Sequence, residues 1–339
     1  MLQDRTLEVL RAIVQEYITS REPVGSKTLV EKHDFKVSSA TIRNDMAMLE
    51  DEELISAPHT SSGRVPTDKG YRLFVDRLAQ VKQLSTAERN AIESLLAGSN
   101  DLDETLGKTV RLLSRLTNQI AMVQYPTLGK SKVRSVDIIG VTENKALLIL
   151  VTDIGRIEQH VVQLGSPVSA DFLQSVRNRL NSKLAGQPMS EVQAGITGFE
   201  NDFAAADRAK VAALLTGLRE TVDANRTEKL LVSGAANLAR RENDFTGSIT
   251  PLLDALEEQV VLLRLIGEMQ VEQHGVSLRI GRENQQEAFG ETSVVVTGYE
   301  TGGAEVARLG VIGPTRMDYS NNMAAVLAVA KYLTRSLEN

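Results

Sequence analysis

The sequence predicts an α+β protein of several domains, and three observations carry that prediction. Within residues 1–79 the apolar side chains recur at helical spacing. From Lys132 onward they fall instead into short β-branched runs separated by polar turns. Those runs stop near Leu164, give way to a mostly helical stretch and resume at Val276. A chain of 339 residues holds two or three cores of ordinary size. Its 42% hydrophobic and 24% charged residues are those of a globular protein, not of a fibre or a disordered chain.

Leu7, Leu10, Val14, Tyr17 and Ile18 stripe a first helix that ends near Ser20, ahead of Pro23. Ser26 to Lys32 reads as a short second helix, and Asp34 to Val37 as a turn. A third helix spans Ser39 to Leu54, with Ser38 or Ser39 as the N-cap that accepts a hydrogen bond from a free amide. Ile42, Met46 and Leu49 recur at i, i+4 and i+7 and face inward. Ala40, Asn44 and Ala47 occupy the opposite pole, with Thr41 and Arg43 on its flanks. Two helices joined by a tight turn make a helix-turn-helix. Small residues allow close approach, Asn and Arg pair bidentately with adenine and guanine edges, and a helix N-terminus suits phosphate.

Leu54-Ile55-Ser56 and Val65 flank a polar tip carrying Gly63 and Arg64, the pattern of a small hairpin. A hairpin after a recognition helix is a wing, whose tip Arg reaches a minor groove or a phosphate. Taken singly, these residues describe any capped helix and any turn; their order and spacing select DNA binding. The candidate DNA-binding residues are Ser26, Lys27, Ser38, Ser39, Thr41, Arg43, Asn44, His59, Arg64 and Lys69. Where winged heads commonly carry Gly at the exit of the recognition helix, this chain has Glu53, so the helix is expected to leave by a different path. Thr67 caps a further helix from Asp68 to Leu78, whose Tyr71, Phe74, Val75 and Leu78 are core residues, not base-stacking platforms.

Charge opposes the DNA reading at first sight. The chain carries a net −6, and residues 1–79 hold 11 Lys and Arg against 13 Asp and Glu, whereas nucleic-acid-binding domains are usually basic. Distribution restores the reading: Lys27, Lys36, Arg43, Arg64, Lys69 and Arg72 cluster around the two helices and the wing, while Asp51, Glu52 and Glu53 form a solvated helix end. Non-specific binding is expected to be weak and salt-sensitive.

Two helical patterns follow, Thr86 to Ala97 and Leu102 to Ile120, the second striped by Leu102, Leu106, Val110, Leu113 and Leu116 for packing on another domain or subunit. Val133 to Val141, Lys145 to Val151 and Arg156 to Leu164 make a three-strand meander, followed by a helix from Ser169 to Leu184. A strand-like Lys229 to Ser233 interrupts the helical stretch; Val276 to Ile280, Glu291 to Tyr299 and Val306 to Val311 resume the strands, and Asn321 to Leu337 closes the chain as a helix. Strands that stop and resume indicate an insertion. The expected division is a DNA-binding head at 1–79, a helical linker at 80–130, a sheet domain from 131–190 with 275–339, and an inserted, mostly helical domain at 191–274.

The remaining motifs exclude more than they assign. There is no Cys, and His33, His59, His160 and His274 lie far apart, so neither a disulfide frame nor a metal site is expected, and no cofactor. No nucleophile, base and orienting group assemble, so the chain is not expected to be an enzyme. The amino terminus lacks a signal pattern and no apolar run approaches membrane-spanning length, which gives the cytoplasm as the expected compartment. Ser233 to Asn237 sits between strand and helix but lacks the Gly spacing of a nucleotide loop, and reads as a tight turn. Gly310 to Arg316 reads as a strand exit, with Arg316 placed to bind an anion or pair with Asp318.

Three stretches carry a family resemblance: Pro23 to Leu29, the Ala40 to Asn44 helix start, and Pro58 to Arg72. With Gly310 to Tyr319 at the far end, they resemble the heat-inducible transcription repressor HrcA family along almost the whole chain. The resemblance implies a winged helix-turn-helix head, a GAF-like antiparallel sheet domain and a dimerisation domain inserted into it. It further implies a homodimeric repressor of chaperone operons that binds double-stranded DNA at an inverted repeat and is kept active by the chaperonin. The alternative is a small-molecule-responsive regulator whose GAF-like domain binds an effector in a ligand-sized, partly polar cavity formed by residues 130–190 and 276–339. GAF-like analogy alone does not establish such a ligand.

Overall fold

The computed structural model describes residues 4–59, 62–78, 84–96, 101–126, 131–224, 229–245, 247, 249–270, 275–301 and 304–338. The hairpin tip at 60–61 and the expected boundaries near 80, 130 and 274 lie outside these residues.

Three helices, α1 (Asp4–Ser20), α2 (Ser26–Lys32) and α3 (Ser39–Asp51), open the chain and bury Val9, Leu10, Ile13, Leu29, Ile42 and Leu49 together. Ser38 is the cap of α3, its Oγ accepting the Thr41 amide at 3.2 Å. At the far end Glu53 takes a left-handed backbone with φ 59. The expectation of a different exit is therefore corrected: the chain uses the conformation glycine favours, with a non-glycine residue. Two bonds hold it there. The Leu54 amide donates to the Leu49 carbonyl at 2.9 Å, and Lys69 Nζ donates to the Glu52 carbonyl at 2.7 Å, placing a cation on the negative end of the helix.

Strands β1 (Ile55–Ser56) and β2 (Val65–Pro66) pair antiparallel, and Val24 and Arg64 exchange both backbone hydrogen bonds at 2.9 Å, so the loop after α1 joins the hairpin. Helix α4 (Asp68–Leu73) is capped by Thr67, which accepts the Gly70 amide at 3.1 Å, and runs on in a wider turn to Leu78. Glycine is required at position 70, where a Cβ would stand 2.0 Å from the Leu54 carbonyl oxygen.

Beyond α5 (Thr86–Leu96), helix α6 (Leu102–Thr117) buries Leu102, Leu106, Val110 and Leu113. It stops at left-handed Asn118 and turns directly into β3 (Ile120–Gln124). Residues 102–124 are thus part of a folded core, and the expected linker and the helix drawn out to Ile120 are both corrected. β3 lies inside a five-stranded antiparallel sheet of order β7-β3-β10-β9-β8, with β7 at Leu230–Ser233, β8 at Ser277–Ile280, β9 at Thr292–Thr301 and β10 at Ala304–Pro314. One face, through Val123, Val295, Leu309 and Val311, packs on α6 and α13 (Tyr319–Glu338) and continues without a break into the apolar centre of the three opening helices. The other face, through Ile120, Met122, Val294 and Ile312, packs on α11 (Thr250–Glu257) and α12 (Gln259–Gly267).

The meander forms its own sheet: β4 (Val133–Thr142), β5 (Lys145–Thr152) and β6 (Ile157–Gln163) pair with one another and with none of β8–β10. Its inner face shares a separate core with α7 (Ala170–Leu184), α8 (Val192–Gly195) and α9 (Arg208–Ala224), including Val136, Leu148, Leu150, Leu180, Leu214 and Leu218. Strand pairing therefore divides the chain differently from the expectation. The insertion is the meander with its helices, between β3 and β7, and the expected boundary at 190 falls inside its core, between buried Met189 and buried Val192. Alternation reveals which face of a strand is buried, not which strand lies beside it. After β7, Gly234 at φ 96 makes the expected tight turn into α10 (Ala235–Ala239), tied back by Asn237 Nδ2 to Ser114 Oγ at 3.0 Å.

Candidate nucleic-acid interface

Helix α3 presents two unlike faces. Ile42, Asp45, Met46 and Leu49 are buried; Ala40, Arg43, Asn44, Ala47 and Met48 are exposed. The acid among the buried residues sets how the helix sits. Asp45 accepts Arg5 Nε at 2.8 Å, Arg5 Nη2 at 3.1 Å and the Thr6 hydroxyl at 3.1 Å, which clamps α3 to the first turn of α1. Those hydrogen bonds and the Asp45 charge raise the Arg5 guanidinium above its ordinary range. The sequence reading passed over Asp45, although its position three residues after Ile42 and one before Met46 puts it on the apolar stripe.

The candidate residues separate into two groups. Arg43, Asn44 and Lys27 are exposed and have no side-chain hydrogen bond or ion pair among the described residues, and neither does Lys36, two residues ahead of the cap. Ser38 and Thr41 share a hydroxyl contact at 3.1 Å at the helix start, with Ser39 half-buried beside them. The His59 side chain is exposed at the hairpin, where its amide donates to Ser62 Oγ at 3.0 Å.

The second group is used internally. Ser26 is buried at the start of α2. Arg64 stands at the base of the hairpin, not at its tip, with Nε 2.9 Å from Glu50 Oε2 and Nη1 on the Ser62 carbonyl at 3.3 Å. Lys69 closes the end of α3. Arg72, counted above with the basic cluster, binds the Glu283 carboxylate with Nε at 2.8 Å and the Leu278 carbonyl at 2.7 Å, on the face turned toward the five-stranded sheet. Arg316 pairs with buried Asp244 and not with Asp318.

These pairings explain how an acidic head can offer a positive face. Asp45, Glu50 and Glu16 are neutralised by Arg5, Arg64 and Lys32, while Lys27, Lys36 and Arg43 remain turned to solvent. Replacing Arg64 by Ala is accordingly expected to cost no more than about 1 kcal/mol of stability. The salt slope of DNA binding should stay unchanged, as read by salt-titrated binding and thermal melting. A slope lower by about one would return Arg64 to the phosphate contacts.

Among the described residues no group of three or more His, Asp or Glu could hold a metal ion, and no helix is long and apolar enough to cross a membrane. A family model described as the HrcA protein C-terminal domain matches residues 103–323. The chain is 56% identical to the heat-inducible transcription repressor HrcA of Clavibacter michiganensis subsp. michiganensis, over 100% of this chain and 99% of that protein. It is 52% identical to the repressor of the same name from Leifsonia xyli subsp. xyli, over 99% of each. Among solved structures, a crystal structure of a hypothetical protein at 2.2 Å resolution superposes with a TM-score of 0.70 at 25% identity, covering 99% of both chains.

Proposed function

From the premise that this chain belongs to the heat-inducible transcription repressor HrcA family, we propose that it represses its genes as a two-fold dimer bound to an inverted-repeat operator. It is a transcription repressor and not an enzyme. The observation that carries the proposal is the solvent face of α3, where Arg43 and Asn44 stand without internal partners behind a capped helix start, with Lys36 at its entrance. We read α1 to β2 as a winged helix-turn-helix, with Ser38, Ser39, Thr41, Arg43 and Asn44 at the major groove and Lys27 and His59 on the backbone.

An inverted repeat requires two heads related by a two-fold axis. The surface that supports this is the outer face of the meander, where register aligns Ile139, Leu147 and Val161 across three strands and Val151 beside Ile157. Ile139, Ile157 and Val161 are each more than half exposed, and contiguous apolar exposure of this kind marks an interface. We therefore assign dimerisation to the inserted unit at 131–224, and read the five-stranded sheet unit as the GAF-like domain.

Chaperone operons as targets, the chaperonin as the partner that maintains the active repressor, and the cytoplasm as compartment follow from family membership as parts of the same proposal. A salt-titrated binding assay of purified protein on an inverted-repeat duplex and its scrambled counterpart, with and without chaperonin, tests them together. The expected result is preference for the intact repeat, strengthened by chaperonin. Equal, weak binding to both duplexes in all conditions would refute operator recognition.

A further inference from the structure

A cleft of about 650 Å³ runs along the seam between the head and the five-stranded unit. The head contributes Tyr17, Thr67 and Tyr71 to its walls, and the sheet unit Asp244, Thr315 and Arg316. Two features of this cleft are unaccounted for by the fold.

The first is Tyr71, 2% exposed, whose hydroxyl is buried without a hydrogen-bond partner. Its ring neighbour Tyr319, 5.7 Å away, contrasts with it: the Tyr319 hydroxyl contacts Ser293 Oγ at 2.8 Å and donates to the Thr315 carbonyl. Buried polar groups are almost always satisfied, and a hydroxyl lining a cleft without a partner is an open donor.

The second is a pair of arginines set against a single carboxylate. Arg316, whose side chain is 9% exposed, pairs with Asp244, and Arg21 reaches the same carboxylate oxygen at 3.8 Å. Arg241 lies in the field of Arg21. Burial, reinforced by repulsion from Arg21, lowers Arg241 below the ordinary arginine range, and burial lowers Arg316 as well, against the opposing influence of Tyr17. One carboxylate thus faces two guanidiniums, those of Arg316 and Arg21. The walls also carry Asp68, whose carboxylate accepts the Arg282 amide at 3.0 Å, and exposed Glu53 and Glu291, with Lys69 and Arg282 as further cations, so the arginine pair at Asp244 is a local feature of one end of the cleft.

We propose that this seam cleft binds a small molecule carrying an oxyanion, carboxylate or phosphate, which accepts a hydrogen bond from the Tyr71 hydroxyl and neutralises the arginine cluster at Arg316. Such a molecule touches head and sheet unit at once, so its binding stabilises the docked arrangement of the two. The site stands on geometry that is independent of operator binding.

Calorimetric titration of the full-length protein with inorganic phosphate and, separately, with succinate, at matched ionic strength, tests it. The expected result is a saturable isotherm with one site per chain for at least one probe, and a higher melting midpoint in its presence. The two probes also distinguish a phosphate from a carboxylate ligand. Tyr71→Phe removes only the unpartnered hydroxyl, so the variant should fold at least as stably as the parent yet bind the probe about tenfold more weakly, the worth of one hydrogen bond to a charged acceptor. Arg316→Gln should abolish binding. Absence of saturation with both probes, or equal affinity in Tyr71→Phe, would overturn the site. Operator affinity measured on the same preparations separates a failed repressor reading from an absent anion site.

Discussion

Val161→Asp is expected to convert the proposed dimer to folded monomers. Val161 is 58% exposed on β6, in register with Leu147 and through it with Ile139, so the isolated subunit places the new carboxylate in water and loses no core packing. In the dimer the same carboxylate is driven into an apolar face, and two-fold symmetry brings in its counterpart as well. Burying each unpaired charge costs on the order of several kcal/mol, more than a modest interface can absorb. Sedimentation should show the monomer at concentrations where the parent is dimeric. Operator affinity should fall by about a hundredfold to ten-thousandfold, because the second head no longer binds intramolecularly. A Val161→Asp protein that sediments as a dimer would move the two-fold axis to another surface.

The second large effect falls on the proposed reading face of α3. Arg43→Ala and Asn44→Ala remove side chains with no internal partner, so melting midpoints should hardly move. Each lost bidentate contact should cost about 1–3 kcal/mol per half-site. The diagnostic is where the loss appears. Titration against operators altered one base pair at a time should show discrimination relaxed at a single position for each variant. Uniform weakening on every sequence by Asn44→Ala would assign that residue to the backbone.

Much of this site was legible from spacing alone. The cap at Ser38, the inward stripe of Ile42, Met46 and Leu49, and the outward Arg43 and Asn44 all follow from a period of 3.6 residues and the chemistry of a helix start. Local rules did not reveal what each charge was doing. Arg64 and Lys69 look like basic residues near a wing; only the fold brings Glu50 and the end of α3 against them, across 14 and 17 residues of sequence. Asp45 shows the converse, an acid whose partners lie 39 and 40 residues upstream.

The strands tell the same story on a larger scale. β4, β5 and β6 are joined by short turns and their pairing could be anticipated. β3, by contrast, is five residues at the tail of a long helical pattern, and its neighbours are β7 and β10, more than a hundred residues away. Without β3 and β7, the sequence offers the resumed strands at 277–314 no partner but the meander, whereas the structure pairs them with β3 and sets the meander apart.

The junction at β3 and β7 has an architectural consequence. Gln124 at the end of one strand lies opposite Leu230 at the start of the other, and the Tyr125 amide donates to the Lys229 carbonyl at 2.8 Å. The chain thus leaves the sheet and re-enters it at one place, as a hairpin does, with a folded body of about a hundred residues standing where a turn would be. An insertion carried on adjacent strand ends leaves the ladder beneath it unbroken. The unit proposed to pair two subunits and the head proposed to read a groove are thus built on separate cores, so a change in the packing of one leaves the other's interior untouched.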